Sequence, residues 1–510
     1  MTDSVSRHAT DPAPRTPSLA VSLLVVGVMV FLILFSATVF GGSVAAGPLQ
    51  ISLTLSLLFA LLVARLHGFR GSLIADSIRG SVNGTLGTIF VLMAIGALIG
   101  SLYLSGTVPA FIYYGVTIVS PEFYYVLVFA IAAGLAMVIG SSATVAGMVG
   151  VAFVGLASMT GASPEITAGA VVSGTVVGFT SARISPAVNL TTGATGVEID
   201  DYAPLALRMI IPTALVTAVV YLVIGLARDT SATPLDSSEV QDAISAHFNI
   251  NLLAFTPILL VLVLAYLRFT AFMSLMLPAV FAVFLAAFTQ HDLVVALADD
   301  PSLSSFRASL DVAIDTLGNG FQLNSGVEAL DDLFAGGGIA IMMNTIWLIM
   351  MAASFGAVID HTGMLGRIME PIIRLVRGKL SLIVVTMLSS MGLNGVMADP
   401  YGSALLGSRM FTDSYRDQDV RPVTLAVTMS SSGTALSHII PWNLIGAILA
   451  TTLGLGVVEW APYAFTAYLA PLGAIAVILI HRNQMAKDAG DGGPEREQRV
   501  GELVDRLDLA

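Results

Sequence analysis

The segment Leu380–Phe411 reads LSLIVVTMLSSMGLNGVMADPYGSALLGSRMF. Its first part, Leu380–Val396, has no charged residue and approaches the roughly 20 apolar residues that a membrane-spanning helix needs. Asp399 and Pro400 follow it. A carboxylate at membrane depth costs at least about 2.5 kcal/mol, so it usually marks the path of an ion or proton. The segment predicts a helix that is broken within the membrane, next to a functional acid.

The composition of the whole chain extends this prediction. Of its 510 residues, 56% are hydrophobic and 11% are charged, whereas soluble domains carry roughly 25% charged residues. We therefore predict an all-α polytopic membrane protein with ten to thirteen crossings. The absence of cysteine excludes disulfides and thiolate sites. The predicted spans are Leu19–Phe40, Leu49–Leu66, Leu86–Leu104, Tyr124–Gly140, Ala203–Ala227, Leu252–Leu267, Phe272–Phe288, Ile339–Ile359, Leu380–Val396, Leu444–Leu455 and Ala461–His481.

Loop charge predicts the orientation, because cytoplasmic loops of membrane proteins are rich in Lys and Arg. Basic residues concentrate in the segments 65–79, 360–379 and 481–487, which we expect to be cytoplasmic. The acidic segments 228–247 and 291–332 should face outward. Both termini then lie inside, and the expected location is the cell inner membrane.

Two parts of the chain resemble each other. Gly196–Pro204 (GVEIDDYAP) is similar to Gly456–Pro462 (GVVEWAP), and a Pro–Asn pair precedes each of them. The loops that enter the two copies have opposite charge bias, so the copies should have opposite orientations. Inverted-topology repeats with broken helices and re-entrant hairpins are typical of secondary transporters. The alternative is a chance match between polytopic sequences.

This repeat divides the chain into six regions. They are a cytoplasmic N-terminal tail (1–18), two leading spans with a basic loop (19–80), the first inverted repeat (81–228), acidic loops with two linking spans (229–336), the second inverted repeat (337–482) and an acidic cytoplasmic tail (483–510).

Four polar breaks in the two repeats should share one cavity, since irregular backbone at membrane depth survives only inside protein or along a cavity. Their hydroxyl, amide and carbonyl oxygens suit a hard cation or a small polar solute. The candidate ligands are Ser141, Ser142, Thr144, Ser185, Asn189, Ser432, Thr434 and Asn443. The alternative for each hydroxyl is close helix packing.

Two titratable side chains are candidates for proton or cation coupling. Asp399 could exchange a proton for a cation; otherwise it caps the helix after Pro400 at headgroup level. His438 could carry a proton or serve as an interhelical hydrogen-bonding residue. We predict no structural metal, although a transient Na⁺ at Asp399, Asn189 and Asn443 fits these residue types.

The chain resembles the NhaC-type sodium/proton antiporter family of the ion-transporter superfamily. The similar segments are Ile95–Ser101, Ser105–Pro109, Ile112–Gly115, Ser325–Ala329, Thr362–Leu365, Arg409–Phe411, Ser432–Thr434, Ile439–Asn443 and Ala461–Ala464. Asp399 with Tyr401 matches an acid of the family followed closely by tyrosine. Phe179 and Pro186 stand where the family pattern has acids, and Ser430-Ser431 where it often has Glu-Asp. The family also includes organic-acid and amino-acid carriers.

These observations predict a secondary active transporter and not an enzyme. The resemblance implies sodium/proton antiport by alternating access, with Na⁺ and H⁺ as partners. The alternative is a sodium- or proton-coupled carrier of a small organic acid or amino acid. A remote alternative is an intramembrane hydrolase that uses Ser432 and His438. The lipid bilayer is an expected partner, and we expect no cofactor and no nucleic acid. Whether the protein forms a homodimer stays open.

Overall fold

The computed structural model describes residues 15–40, 47–227, 237–298, 304–326 and 328–480. Within these ranges, nine helices are long and apolar enough to span a membrane, or up to eleven when two bent helix pairs count as one span each. The prediction of an all-α, multi-span membrane protein is confirmed. The predicted tail 483–510 and most of the predicted tail 1–18 lie outside the described residues.

The helices are, in chain order, α1 (Leu19–Phe40), α2 (Pro48–Leu66), α3 (Gly71–Leu104), α4 (Thr107–Ile118), α5 (Tyr124–Ile139), α6 (Ser142–Val145), α7 (Val151–Met159), α8 (Pro164–Ser181), α9 (Pro186–Thr195), α10 (Ile199–Leu226), α11 (Ser237–Ser245), α12 (Thr256–Tyr266), α13 (Ala271–Thr289), α14 (His291–Leu297), α15 (Ser305–Asn319), α16 (Glu328–Leu333), α17 (Met343–His361), α18 (Met364–Ile373), α19 (Lys379–Met397), α20 (Pro400–Asp417), α21 (Pro422–Met429), α22 (Leu444–Leu453), α23 (Val457–Trp460) and α24 (Phe465–Ile480). Two π-helical segments lie at Ala146–Gly150 and Ser430–Thr434. The antiparallel strands β1 (Phe321–Gln322) and β2 (Ala335–Gly336) pair Phe321 with Gly336.

The chain forms two compact units. The first comprises residues 1–86 and 347–374. In it α1 packs on α2 and α18, and the Ser36 and Ser52 hydroxyls lie 2.6 Å apart. Ser81 donates to the Ala353 carbonyl of α17 at 3.0 Å.

Helix α3 begins at Gly71, 15 residues before the predicted start at Leu86. Ile74, Ser77 and Ser81 recur at helical spacing: Ile74 is buried, and both serines donate to carbonyls of α17. This face stabilises a helix in a segment too polar to be recognised as a span. Arg79, predicted in a loop, therefore lies on α3, where it pairs with Asp76 at 2.6 Å.

The second unit comprises residues 87–346 and 375–510. Helices α5 and α8 form its closest pair, because glycines let the two backbones meet. A Cβ on Gly178 would lie 2.1 Å from the Ala136 carbonyl carbon. Helix α10 packs on α5, α8 and α24. This helix layer supports the polar breaks described below.

The second unit contains two runs of helices with similar order. Each run has a long helix, a break, a second pair of helical segments, another break, a short helix and a final span: α5 to α10 in one and α19 to α24 in the other. The first break in each run has a residue in left-handed conformation, Gly140 at φ 72° and Ala398 at φ 55°. Gly196 and Gly454 end the short helices at φ 66° and 70°. This order supports an internal repeat, while the opposite orientation of its copies stays a prediction.

The two segments predicted as acidic loops contain helices. Within their described parts lie α11, α14, α15 and α16. After β1, Ser325 donates from its amide and its hydroxyl to Asp331 at 2.7 and 2.6 Å. These bonds hold the pKa of that carboxyl below its usual value.

Candidate functional site

Asp399 lies where α19 gives way to α20. Its oxygens accept hydrogen bonds from the amides of Tyr401 at 3.1 Å and Gly402 at 2.8 Å. It is therefore the N-cap of α20, since Asp is among the residues that best satisfy the free amides at a helix start. The residue is half-buried. The preceding Ala398 has a φ of 55°, a conformation that is costly for a residue with a Cβ.

The two breaks of the second run are residues 398–399, between α19 and α20, and residues 440–443, which follow His438 and precede α22. They are bonded to each other. Asn443 is buried and caps α22 through the Ile445 amide at 3.3 Å. Its side-chain amide donates to the main-chain and side-chain oxygens of Asn394 at 3.1 and 3.3 Å. The Leu444 amide donates to the Ala398 carbonyl at 2.8 Å. The start of α22 thus holds the end of α19 directly beside Asp399.

The two breaks of the first run are in contact as well. A Cβ on Gly140 would lie 2.8 Å from the Ser185 amide nitrogen. Ser141 caps α6 by accepting from the Thr144 amide at 3.3 Å, and it also accepts from the Thr144 hydroxyl at 2.9 Å. The Ser185 hydroxyl donates to the Phe179 carbonyl at 2.6 Å. In each run, therefore, the two breaks are in direct contact with each other.

His438 and Phe179 connect the two runs. The His438 Nε2 lies 2.8 Å from the Ser142 hydroxyl, and Nδ1 lies 3.1 Å from the Ala435 carbonyl. Because a carbonyl can only accept, Nδ1 carries the proton in this arrangement and Nε2 accepts from Ser142. The Phe179 ring lies 5.1 Å from the His438 ring and 6.2 Å from the Tyr401 ring. Through Phe179, these contacts link His438, just before the second break of its run, to α20, the helix that Asp399 caps.

Not every predicted residue joins this cluster. Asn189 is exposed, and its amide donates to the carbonyls of Arg183 at 3.3 Å and Ser185 at 2.9 Å. The Ser432 hydroxyl donates to the Thr428 carbonyl at 2.5 Å, while His438 bonds Ser142, so Ser432 and His438 form no hydrolase dyad. Thr434 is buried in the same π-helical segment, and its hydroxyl has no hydrogen-bond partner in the described structure.

Comparison with known proteins identifies the family of this chain. The model of the Na⁺/H⁺ antiporter family matches residues 179–481, which include Asp399 and the His438 break. The chain is also 32% identical over 389 residues to the Na⁺/H⁺ antiporter NhaC of Alkalihalophilus pseudofirmus, covering 76% of this chain and 80% of that one. The chain belongs to the Na⁺/H⁺ antiporter family. The resemblance noted in the sequence is thereby confirmed, and the protein is a secondary antiporter.

Two other relatives have different cargo in their names. The arginine/ornithine antiporter ArcD of Halobacterium salinarum is 28% identical and covers 91% of this chain and 92% of its own. The malate-2H⁺/Na⁺-lactate antiporter of Bacillus subtilis is 24% identical and covers 89% of this chain and 93% of its own. Similarity to the antiporter family therefore does not by itself define the solute.

Three residues of this cluster were not among the predicted ligands. Asn394 faces Asn443, and the Phe179 ring contacts both the His438 ring and the Tyr401 ring. Asn394 lies one helical turn before the Ala398 break, which would have been a usable signal because residues four apart share a helix face. Phe179 was noticed only as a replacement for an acid, and the sequence offers no signal for its ring contacts.

The antiporter's breaks offer oxygen ligands but no preformed metal centre. In the described residues, no three His, Asp or Glu side chains come close enough together to hold a metal ion. Asp399 uses one lone pair of each oxygen on a backbone amide, and a carboxylate has about four such sites. The free lone pairs can take a proton or an alkali cation.

Proposed function

We propose that this antiporter exchanges Na⁺ for H⁺ at Asp399. The observation that carries the proposal is the position of this carboxylate: it caps α20 at the break where the apolar candidate span α19 ends, and that break is bonded to a second one. An acid needed only as a cap would serve equally well at an exposed helix start. Here its remaining lone pairs can bind a cation after the proton leaves.

Neutral oxygens can complete the shell of a dehydrated Na⁺, which prefers hard oxygen ligands. The breaks of both runs supply main-chain carbonyls and side-chain hydroxyls and amides. We propose Ser141, Ser142, Thr144, Ser185, Thr434 and Asn443 as the pool from which those ligands come, and His438 as a second coupling residue. The pool leaves out Asn189, which is exposed, and Ser432, whose hydroxyl donates to the Thr428 carbonyl. Asn443 has the strongest support, because its amide contacts the break next to Asp399.

The exchange requires that Asp399 face the two sides of the membrane in turn. Inverted repeats meeting at broken helices are the arrangement that allows this movement, and the matching order of α5 to α10 and α19 to α24 supports it. From the basic loops we propose a location in the cell inner membrane with both termini cytoplasmic. A homodimer belongs to the same proposal.

Purified protein in proteoliposomes tests the exchange directly. A sodium jump should change the internal pH, reported by an enclosed dye, and Asp399→Asn should abolish that change. Asparagine caps helices about as well as aspartate, so the variant keeps its fold. Asp413→Asn is the matched control, since Asp413 is an exposed acid on the same helix, paired with Arg416. Normal exchange by Asp399→Asn across the pH range would refute the proposal.

A second candidate is a cation-coupled carrier of a small organic acid or amino acid. Phe179 favours it, because a buried aromatic ring beside His438 and Tyr401 supplies no oxygen ligand for a dehydrated Na⁺ but can contact the apolar part of a solute. Arginine, ornithine, malate or lactate should be added outside the same proteoliposomes. Sodium-dependent uptake of one of them, without a sodium-driven pH change, would select this second candidate.

A further inference from the structure

A cavity of about 500 Å³ lies in the first unit, between the start of α1 and the polar face of α18. Leu19 begins an apolar candidate span, so the cavity lies at the level where hydrocarbon gives way to water. The side chains that matter for its chemistry are Thr16, Ser18, Leu19, Arg367, Glu370 and Arg374.

The cavity carries a net positive charge. Glu370 lies between two guanidinium groups, 2.6 Å from Arg374 Nη2 and 3.4 Å from Arg367 Nη1. Two cations and one anion leave a net charge of +1. Each guanidinium has five N–H donors in a planar fork, the geometry that suits phosphate oxygens. The two arginine side chains are 75% and 50% exposed, so their forks can reach a ligand while Glu370 holds them side by side.

The surface below the cavity is apolar. Leu19, Leu23 and Leu24 of α1 are exposed by 39%, 50% and 55%, and they continue from the cavity wall along the span. A soluble phosphate needs no such surface, whereas a phospholipid presents a phosphate and acyl chains in this order. We propose that the cavity binds the headgroup of an anionic phospholipid, with its phosphate on Arg367 and Arg374 and its acyl chains along α1.

Native mass spectrometry of the purified full-length protein in detergent tests this site. The protein is titrated with short-chain phosphatidylglycerol, with phosphatidylcholine as the zwitterionic control. We expect tighter binding of phosphatidylglycerol and a loss of about tenfold for Arg374→Gln, the effect of one charge-assisted hydrogen bond. Glu370→Gln should tighten binding, because it raises the cavity charge from +1 to +2.

The control is Arg79→Gln, which removes an arginine from another exposed ion pair in the same unit. It should leave lipid binding unchanged. The proposal fails if both lipids bind equally, if Arg79→Gln weakens binding as much as Arg374→Gln, or if Glu370→Gln brings no gain. Competition by inorganic phosphate at the lipid's own concentration would assign the cavity to a free phosphate instead. Thermal unfolding of each variant confirms that it is folded before binding is compared.

Discussion

Asn443 allows the bond between the two breaks to be separated from helix capping. In Asn443→Ser the hydroxyl can still cap the Ile445 amide, but the donor to the Asn394 side-chain oxygen is lost. A buried acceptor without a partner costs about 1–3 kcal/mol, so this variant should lose about 2 kcal/mol of stability. Asn443→Ala also leaves the Ile445 amide uncapped, which adds about 1 kcal/mol. The expected order of stability is wild type, serine variant, alanine variant.

Thermal unfolding in detergent, followed by tryptophan emission, measures that order. The Trp442 indole donates to the Gly395 carbonyl at 2.7 Å, so its emission reports on the same pair of breaks. Asn189→Ser is the control: Asn189 lies within the short helix α9 of the first run and is exposed, so its change should stay within about 0.5 kcal/mol. If Asn189→Ser destabilises as much as Asn443→Ser, or if Asn443→Ser melts like the wild type, the bond between the breaks does not stabilise the fold.

Three further outcomes can be measured on the purified protein. Gly178→Ala should destabilise the fold by about 1–3 kcal/mol, because its Cβ would overlap the facing helix. Gly134→Ala should be tolerated, because a Cβ there meets no atom within 4 Å. Equal melting temperatures of the two variants would contradict the close packing. Ala398→Gly should stabilise by up to about 1 kcal/mol, because glycine adopts a positive φ without strain, and a lower melting temperature would refute this. Since the pKa of Asp331 is lowered in the folded chain, its contribution is present at neutral pH and is lost as the pH falls below about 4; hydrogen exchange of residues 321–336 should show this loss, and Ser325→Ala should reduce the protection already at pH 7.

The positions of most spans could be predicted from the sequence. The predicted Tyr124–Gly140 differs from α5 by one residue at its end, and the predicted Phe272–Phe288 differs from α13 by one residue at each end. Such agreement is expected because lipid requires a long apolar run wherever a helix crosses it. Helix α3 differs most, since its first four turns or so are polar and are stabilised by contacts with α17.

The candidate site was predictable only as a set of breaks. Proline, glycine and asparagine mark the places where a helix ends, so Asp399 and Asn443 could be identified as neighbours of a break. Which break touches which depends on how the helices cross, and that geometry leaves no trace in the spacing of residues. The pairing of Asn443 with Asn394 and of His438 with Ser142 therefore came only from the structure. The ligand roles of the predicted residues stay predictions.

The charge of Asp399, beside the two bonded breaks, determines how the exchange responds to membrane voltage. If Asp399 couples the exchange without His438, releasing one proton and then taking one sodium ion, the loaded site carries the same charge in both directions. Moving one elementary charge through 100 mV is worth about 2.3 kcal/mol, but here no net charge moves, so the membrane voltage does no work on the cycle. Such an exchanger follows only the two concentration ratios, and it would continue to regulate internal pH in a cell whose membrane is depolarised.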